Sequence, residues 1–216
     1  MRVLIVCGGR SAEHEISLIS GRFVLDSLGE HEPVVVAIDR AGVWRHLSPD
    51  ALPRSKDPRA VEVPADAPEA WLRPSTVAGG AGVLCVGDEQ IPFDIAVPVL
   101  HGPFGEDGCS QGLFELAGVP YVGSGVPACA VGMHKVMQKQ VFRDAELPVV
   151  RYHAFGSRAW RLHRDEQIET CAELGYPVFV KPVNMGSSQG VRKARDDDEL
   201  VIARSDQHAG ATPLER

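Results

Sequence analysis

The sequence has few cysteines with which to bind a metal ion or to form disulfide bonds. Its five cysteines are scattered singly, with no C-x-x-C pair and an odd total. This pattern excludes a disulfide framework and a cysteine zinc site. It favours a reducing compartment, so we expect a cytoplasmic protein.

Positive charge and long apolar runs are also scarce. Lys and Arg number 22 against 29 Asp and Glu, a formal net charge of −7 at pH 7. No bulk positive field therefore exists to gather nucleic acid or an anionic membrane surface. The apolar run at residues 3–7 is far too short for a signal-peptide core or a membrane span. We expect neither nucleic-acid nor membrane partners, and any bound phosphate must be held by local groups.

What the sequence does contain is a strand–helix–strand pattern at its start. Residues 3–7 and 34–38 are β-branched runs of the kind that form buried strands. The segment between them has a candidate N-cap at Ser11. It also has an apolar repeat near helical spacing, at Ile16, Ile19, Phe23 and Leu28. This βαβ unit predicts an α/β fold with a parallel sheet.

The pattern continues with predicted strands at 83–86 and 95–100 and a short helix over 111–117. Pro98 cannot donate a ladder hydrogen bond, so it must lie near a strand end or edge. Six prolines between residues 48 and 76 predict an irregular excursion with no core element and no function.

A second domain is predicted after a glycine-rich stretch at residues 121–125. It has an apolar helix at 136–142, a helix capped by Asp165 and a strand at 178–180. Beyond Val191 the pattern fades into charge, and the acidic run 196–199 is interpreted as a solvated helix start rather than a Mg²⁺ site. We place the two domains at residues 1–128 and 129–216.

Three segments combine glycines with polar side chains at predicted strand ends. The first, G-G-R-S-A-E at residues 8–13, would aim backbone N–H groups and the Glu13 carboxylate at the carboxyl edge of the sheet. It fails the G-x-G-x-x-G fingerprint, and a glutamate would repel a pyrophosphate. An ammonium group is the better ligand, and a tight turn with a solvated glutamate is the alternative.

The second segment, H-G-P-F-G-E-D-G at residues 101–108, predicts a binding loop directly after a buried strand. One histidine beside adjacent acids satisfies no standard metal site, so His101 is a hydrogen-bonding residue and no metal is predicted there.

The third segment, K-P-V-N-M-G-S-S-Q-G at residues 181–190, places a lysine at a strand end before a loop of small residues and hydroxyls. Such a loop lets backbone N–H groups approach phosphate oxygens, although it lacks the ending of a Walker loop. A flexible glycine-serine turn is the alternative. Lys135 opens the preceding apolar helix, where it either reaches a phosphate or is solvated.

In this order, the three segments resemble the D-alanine:D-alanine ligase family of the ATP-grasp superfamily. The resemblance runs from residue 1 to about residue 200, and G-V-P-Y-V-G-S-G at 118–125 strengthens it. It implies a Rossmann-like (pre-ATP-grasp) parallel-sheet domain followed by an incomplete α+β ATP-grasp domain. It also implies ATP-dependent ligation of two D-alanines through a D-alanyl phosphate for peptidoglycan synthesis, with a possible homodimer.

The resemblance assigns the substrate side of the site by motif position. Glu13 would hold the ammonium of the first D-alanine, and Ser187 would help to orient Glu13; these two are the predicted catalytic residues. His101 would lie beside the carboxylate of the substrate, with Gly102 and Glu106 in the same substrate-binding loop.

On the nucleotide side, the resemblance implies that Lys135 and Lys181 bind ATP phosphates, while Gly186 and Ser188 belong to the loop that closes over them. Closure would shield an acyl phosphate from water. The family uses Mg²⁺ (or Mn²⁺) with ATP, but its acidic and asparagine metal ligands, its arginine and its tyrosine loop are not found after Val191. We therefore expect a truncated ligase that is inactive alone.

Three positions depart from the family pattern: Ser110, His134 and Gln189. Two other functions stay open. A non-catalytic D-alanine-binding, nucleotide-binding or dimerisation module would bind its ligand without releasing ADP. A Rossmann oxidoreductase would bind NAD(P)H, and the failed glycine fingerprint makes this the weaker hypothesis.

Overall fold

The computed structural model describes residues 1–55, 57–75 and 80–206. The chain forms two units, Met1–Val131 and Gly132–Arg216. Within the described residues, no helix is both long and apolar enough to span a membrane.

The first unit contains the predicted strand–helix–strand start, the two later strands and the short helix, together with three strands that the sequence does not predict. Its elements are β1 (Arg2–Gly8), α1 (His14–Asp26), β2 (Glu32–Ile38), β3 (Trp44–Leu47), two 3₁₀ turns (Pro49–Ala51 and Pro58–Ala60), β4 (Ala70–Arg73), β5 (Gly82–Val86), β6 (Glu89–Phe93), β7 (Ile95–Pro98) and α2 (Cys109–Ala117). A further helix, α3 (Val126–Met133), crosses the boundary between the units.

The main sheet has the strand order β3-β2-β1-β7, with β1 parallel to both β2 and β7. Residues 3–8 are buried, as expected for a central strand covered on both faces. Pro98 is the last residue of β7, a terminal strand of this sheet, so its missing N–H costs the ladder nothing. The predicted βαβ unit and α/β fold class are confirmed.

Helix α1 buries a different face from the one that its apolar repeat predicts. Ile16 and Phe23 are 46% and 74% exposed. The buried residues are instead His14, Ser17, Leu18 and Gly21. The repeat correctly predicts a helix, but only part of it marks the buried face, since Leu18 lies in the core and Ile19 packs against it.

The start of α1 also differs from the prediction. The helix begins at His14, and Glu13 occupies the N-cap position without a side-chain capping bond. Ser11 is therefore not the N-cap. Its hydroxyl accepts a hydrogen bond from the Glu13 N–H at 3.2 Å, closing the turn before the helix rather than the helix itself.

Close packing of α1 on β1 depends on Gly21. A Cβ at this position would lie 2.7 Å from Cβ and 2.8 Å from Sγ of Cys7, which is fully buried. We expect Gly21→Ala to lower the free energy of unfolding by about 1–3 kcal/mol, because the strand or the helix must shift. Gly112→Ala in α2 is the control, since its Cβ would meet only a contact at 4.0 Å. Urea unfolding measures both, and equal stability of the two variants would contradict the prediction.

The proline-rich segment contributes more than predicted. Leu52 and Val61 are buried and pack in one cluster with Leu18 and Leu47. Strand β4 pairs antiparallel with β5, which pairs with β6 to make a second sheet of three strands. Prolines interrupt the regular spacing of apolar residues, but single apolar side chains between them can still pack against a core.

The second unit contains α4 (Lys135–Asp144), α5 (Ser157–Leu162), α6 (Arg164–Ala172), β8 (Val178–Val180), β9 (Arg192–Ala194) and α7 (Asp197–Asp206). Strands β8 and β9 pair antiparallel. A small core forms around Cys171, Ala194 and Leu200. The predicted helix over 136–142 and strand over 178–180 are confirmed.

Two predictions for this unit need correction. The N-cap of α6 is His163, and Asp165 lies in the first turn. The pattern does not fade after Val191, because β9 and α7 both follow and Leu200 is buried. The acidic run does start a helix as predicted, since the Asp196 carboxylate accepts the Glu199 N–H at 2.9 Å.

Candidate functional site

Two of the glycine-containing segments leave the same edge of the main sheet. Strands β1 and β7 are adjacent and parallel, so residues 9–13 and 99–108 both begin at their carboxyl ends. Gly102 has φ 73°, and a Cβ on it would lie 2.7 Å from Oε2 of Glu13 and 3.3 Å from Cβ of Ser11. The fold thus brings Glu13 and Gly102 together, and only glycine fits at this approach.

Glu13 is well shielded from water, with 9% of its surface exposed. Its position is set by the first turn of α1, where the Glu13 carbonyl accepts the Ser17 N–H at 2.9 Å. A carboxylate in such a place is stabilised by cationic or N–H partners. This geometry suits the ammonium group that the sequence predicts as its ligand.

The loop at residues 101–108 is closed by its own carboxylates. Glu106 accepts the Gly102 N–H at 2.7 Å, and Asp107 accepts the N–H groups of Phe104 and Cys109 at 2.8 and 3.0 Å. One carboxylate oxygen of Glu106 is therefore already occupied by a hydrogen bond within the loop. Its role towards a substrate stays a prediction.

His101 is half-buried, and its Nε2 lies 3.1 Å from the hydroxyl of Ser20 on α1. This bond fixes the ring at the start of the loop. Gly102 follows directly, so His101 lies near the approach between Gly102 and Glu13. Its predicted contact with a substrate carboxylate is untested by this geometry.

Arg10 also helps to build this site, which the sequence did not predict. Its guanidinium lies over the ring of Phe104, 5.3 Å from the centroid, and so connects the two loops. Its Nε also lies only 2.4 Å from where a Cβ on Gly42 would stand. No local sequence pattern predicts a role for Arg10, because Phe104 and Gly42 are both distant from it in sequence.

Ser110, which departs from the family pattern, has a structural role. Its hydroxyl donates to the Gly105 carbonyl at 2.9 Å, and the side-chain amide of Gln111 donates to the same oxygen at 3.0 Å. The polar residue therefore holds the end of the loop against α2.

In the second unit, Lys135 and the loop at 181–190 are joined. The Lys135 backbone N–H donates to the Val183 carbonyl at 3.1 Å, and its ammonium donates to the Met185 carbonyl. Burial and the positive charge of Lys181 lower the pKa of the Lys135 ammonium. Two cations whose charges act on each other favour a polyanion as their ligand.

The rest of that loop forms tight turns. Ser187 and Ser188 both have left-handed backbone, with φ 46° and 58°. The Gln189 N–H donates to the Gly186 carbonyl at 2.9 Å. Turns of this kind present backbone N–H groups to an anion.

His134 caps α4, accepting the Met137 N–H on its Nδ1 at 3.2 Å. It thereby performs the capping that an aspartate would perform at this position. The departure leaves the placement of Lys135 intact.

No metal position emerges from the described residues, since none of their His, Cys, Asp and Glu side chains form groups of three suited to an ion. Glu13 and Ser187 belong to different units. The predicted orientation of one by the other stays a prediction.

Two family models match the chain. The D-ala D-ala ligase N-terminus covers residues 2–124, more than half of the sequence, and the D-ala D-ala ligase C-terminus covers residues 141–209.

Individual relatives agree with these two family models. The D-alanine–D-alanine ligase of Heliobacterium modesticaldum is 41% identical over 209 residues, which are 94% of this chain and 56% of that protein. The Mycobacterium tuberculosis enzyme of the same name is 42% identical, over 96% of this chain and 57% of its own length. The chain thus spans little more than half the length of these relatives.

Solved structures give the same result. The D-alanine-D-alanine ligase of Coxiella burnetii matches with a TM-score of 0.80 at 28% identity, over 97% of this chain and 59% of its own. A D-Ala:D-Ser ligase from Enterococcus faecalis matches with a TM-score of 0.75 at 29% identity, over 95% and 58%. By sequence and by fold, this chain belongs to the D-alanine–D-alanine ligase family.

Proposed function

We propose that this chain carries the first D-alanine site and the first part of the ATP site of an ATP-dependent D-alanine–D-alanine ligase. In that reaction the carboxylate of one D-alanine attacks the γ-phosphate of ATP, giving D-alanyl phosphate and ADP. The amine of a second D-alanine then displaces phosphate to form the dipeptide. The observation that carries the proposal is the approach of Glu13 to Gly102 in a chain of this family.

In the first unit, the Glu13 carboxylate would bind the ammonium of the first D-alanine. His101, Gly102 and Glu106 would bind or surround its carboxylate. Glu13 supplies the anionic group that the ammonium of an α-amino acid needs, and the imidazole of His101 on the neighbouring loop would donate to its carboxylate.

In the second unit, Lys135 and Lys181 would bind the phosphates of ATP. The loop containing Gly186, Ser187 and Ser188 would close over them and exclude water from the acyl phosphate. Negative charge on the transferred phosphoryl group is stabilised by exactly such fixed cations and N–H donors.

Mg²⁺ with ATP is the cofactor that the family resemblance implies. When bound, it would supply positive charge next to the phosphates of ATP. The described residues offer no group of acidic ligands for it. We further propose a cytoplasmic location, a role in peptidoglycan synthesis and a homodimer, on the strength of the family alone.

A single assay tests the proposal. ADP release is measured from the purified 216-residue chain with ATP, Mg²⁺ and D-alanine, beside the Lys181→Ala variant. D-alanine-dependent release that the variant lacks supports ligase chemistry. If neither D-alanine nor ATP binds or reacts, the proposal fails.

A second candidate is a binding module without turnover. It is favoured by the lack of a grouped metal-ligand set in the described part of the chain. It predicts saturable binding of D-alanine or ATP in the same samples with no ADP release. Calorimetry run beside the assay separates the two functions.

A further inference from the structure

Helix α1 presents three polar side chains one turn apart towards the two loops of the first unit. These are His14, Ser17 and Ser20, which we call the polar stripe. The spacing i, i+3, i+6 places them along one side of the helix. His14 and Ser17 are buried, with 3% and 0% of their surfaces exposed, and Ser20 is half-buried.

The first member fixes the turn that carries Glu13. Nδ1 of His14 donates to the Gly9 carbonyl at 2.7 Å, and the His14 N–H donates to the Ser11 carbonyl at 3.3 Å. Gly9 is itself anchored, because its N–H donates to Ile38 at the end of β2 at 2.8 Å. The residues between Gly9 and His14 are therefore held at both ends.

The second member joins the two strands from which the loops leave. The Ser17 hydroxyl accepts the Gly8 N–H at 2.7 Å and donates to the Val99 carbonyl at 2.5 Å. Gly8 ends β1 and Val99 follows β7, so one buried hydroxyl ties both loop origins together. A hydroxyl carries a donor and an acceptor on one atom, which is why Ser17 can satisfy both backbone groups.

The third member reaches the other loop. The Ser20 hydroxyl shares a hydrogen bond with Nε2 of His101 at 3.1 Å. The three contacts of the stripe thus fall at the start of each loop and at the strand ends between them.

We propose that His14, Ser17 and Ser20 are positioning residues that hold Glu13 and His101 in register for the first D-alanine. This inference rests on the proposed function for its ligand, and on the hydrogen bonds alone for its geometry. His14 and Ser17 act through the backbone of the loops, and Ser20 acts through the imidazole of His101.

The test compares variants by D-alanine titration and by backbone amide NMR of the unliganded chain. We expect Ser17→Ala to weaken D-alanine binding by about tenfold or more, because two buried backbone groups lose their partner. Ser20→Ala should shift the amides of His101 and Gly102, and Ser20→Thr, which keeps the hydroxyl, should restore them. Ser27→Ala is the matched control, since Ser27 lies after α1 and its hydroxyl donates to the Phe23 carbonyl, away from both loops.

His14 provides a second, independent pair. Asparagine carries an N–H donor near the position of Nδ1, and leucine has a similar volume without one. We expect His14→Asn to retain the amide shifts of Gly9 and Glu13, and His14→Leu to change them. This pair and the Ser20 pair remain informative if Ser17→Ala does not fold.

The outcomes separate the two claims. If the wild-type chain does not bind D-alanine, the proposed function is wrong. The amide shifts would still test the positioning role of the polar stripe. Changes at both loops with rescue by Ser20→Thr and His14→Asn support the inference. Loop amides that move no more than in Ser27→Ala, or a uniform loss of stability without rescue, overturn it.

Discussion

Glu13→Gln is expected to lower the affinity of the chain for D-alanine by about 30- to 100-fold. The change keeps the volume of the side chain but removes the negative charge that would meet the ligand's ammonium. Loss of a shielded charge-assisted hydrogen bond costs about 2–2.8 kcal/mol, which gives that ratio. Isothermal calorimetry with D-alanine measures the change directly.

The matched control is Glu15→Gln, the same substitution two residues further along. Glu15 is paired with Arg40 and so already has its cation. We expect it to alter D-alanine affinity by less than about twofold, as is usual for an exposed ion pair. N-acetyl-D-alanine sharpens the test, because it has no ammonium. It should bind wild-type chain and Glu13→Gln equally weakly, and unequal binding would contradict the assigned role of Glu13.

The strands, helices and glycine-containing segments that depend on local sequence were predicted well. A continuous β-branched run gave β1, and the helix at 111–117 ends at Gly118, whose left-handed backbone closes it. The three glycine-containing segments were also found, since glycines beside ionisable groups stand out in any sequence. Two of them lie at one sheet edge because parallel adjacent strands end together.

What the sequence could not give depends on partners far along the chain. The buried face of α1 includes polar residues beside Leu18, and Ser17 among them bonds Gly8 and Val99, 9 and 82 residues away. An apolar repeat cannot report such a face. A repeat of polar residues at His14, Ser17 and Ser20 was the available signal, and it has meaning only once the strand ends are known to need partners.

Single buried residues were missed for a related reason. Leu52 and Val61 lie in a segment without periodic apolar spacing, and both are buried in a cluster that includes Leu18 of α1. Leu200 lies in a helix rich in charge and is buried in the core with Cys171 and Ala194. Burial of an isolated side chain is a tertiary property, so composition and periodicity do not encode it.

Lys135→Met is expected to weaken binding of a non-hydrolysable ATP analogue by about 10- to 100-fold at neutral pH. Methionine keeps much of the length of the side chain and removes the charge-assisted bond to phosphate. Lys139→Met on the same helix is the control, because the Lys139 ammonium lies over the ring of Tyr152, 5.3 Å from its centroid. We expect the control to stay within about threefold of wild type.

The pH dependence of the same titration identifies Lys135 as the group responsible. Burial and the charge of Lys181 lower the pKa of Lys135, and a polyanion binds the protonated ammonium. Affinity must therefore fall as pH rises through that lowered pKa, by up to about tenfold per pH unit. Lys135→Met removes this step. Lys181→Met removes one cause of the lowered pKa, so the step moves to higher pH while overall affinity drops. A wild-type step that survives in Lys135→Met would show that another group titrates and would remove Lys135 from the phosphate site.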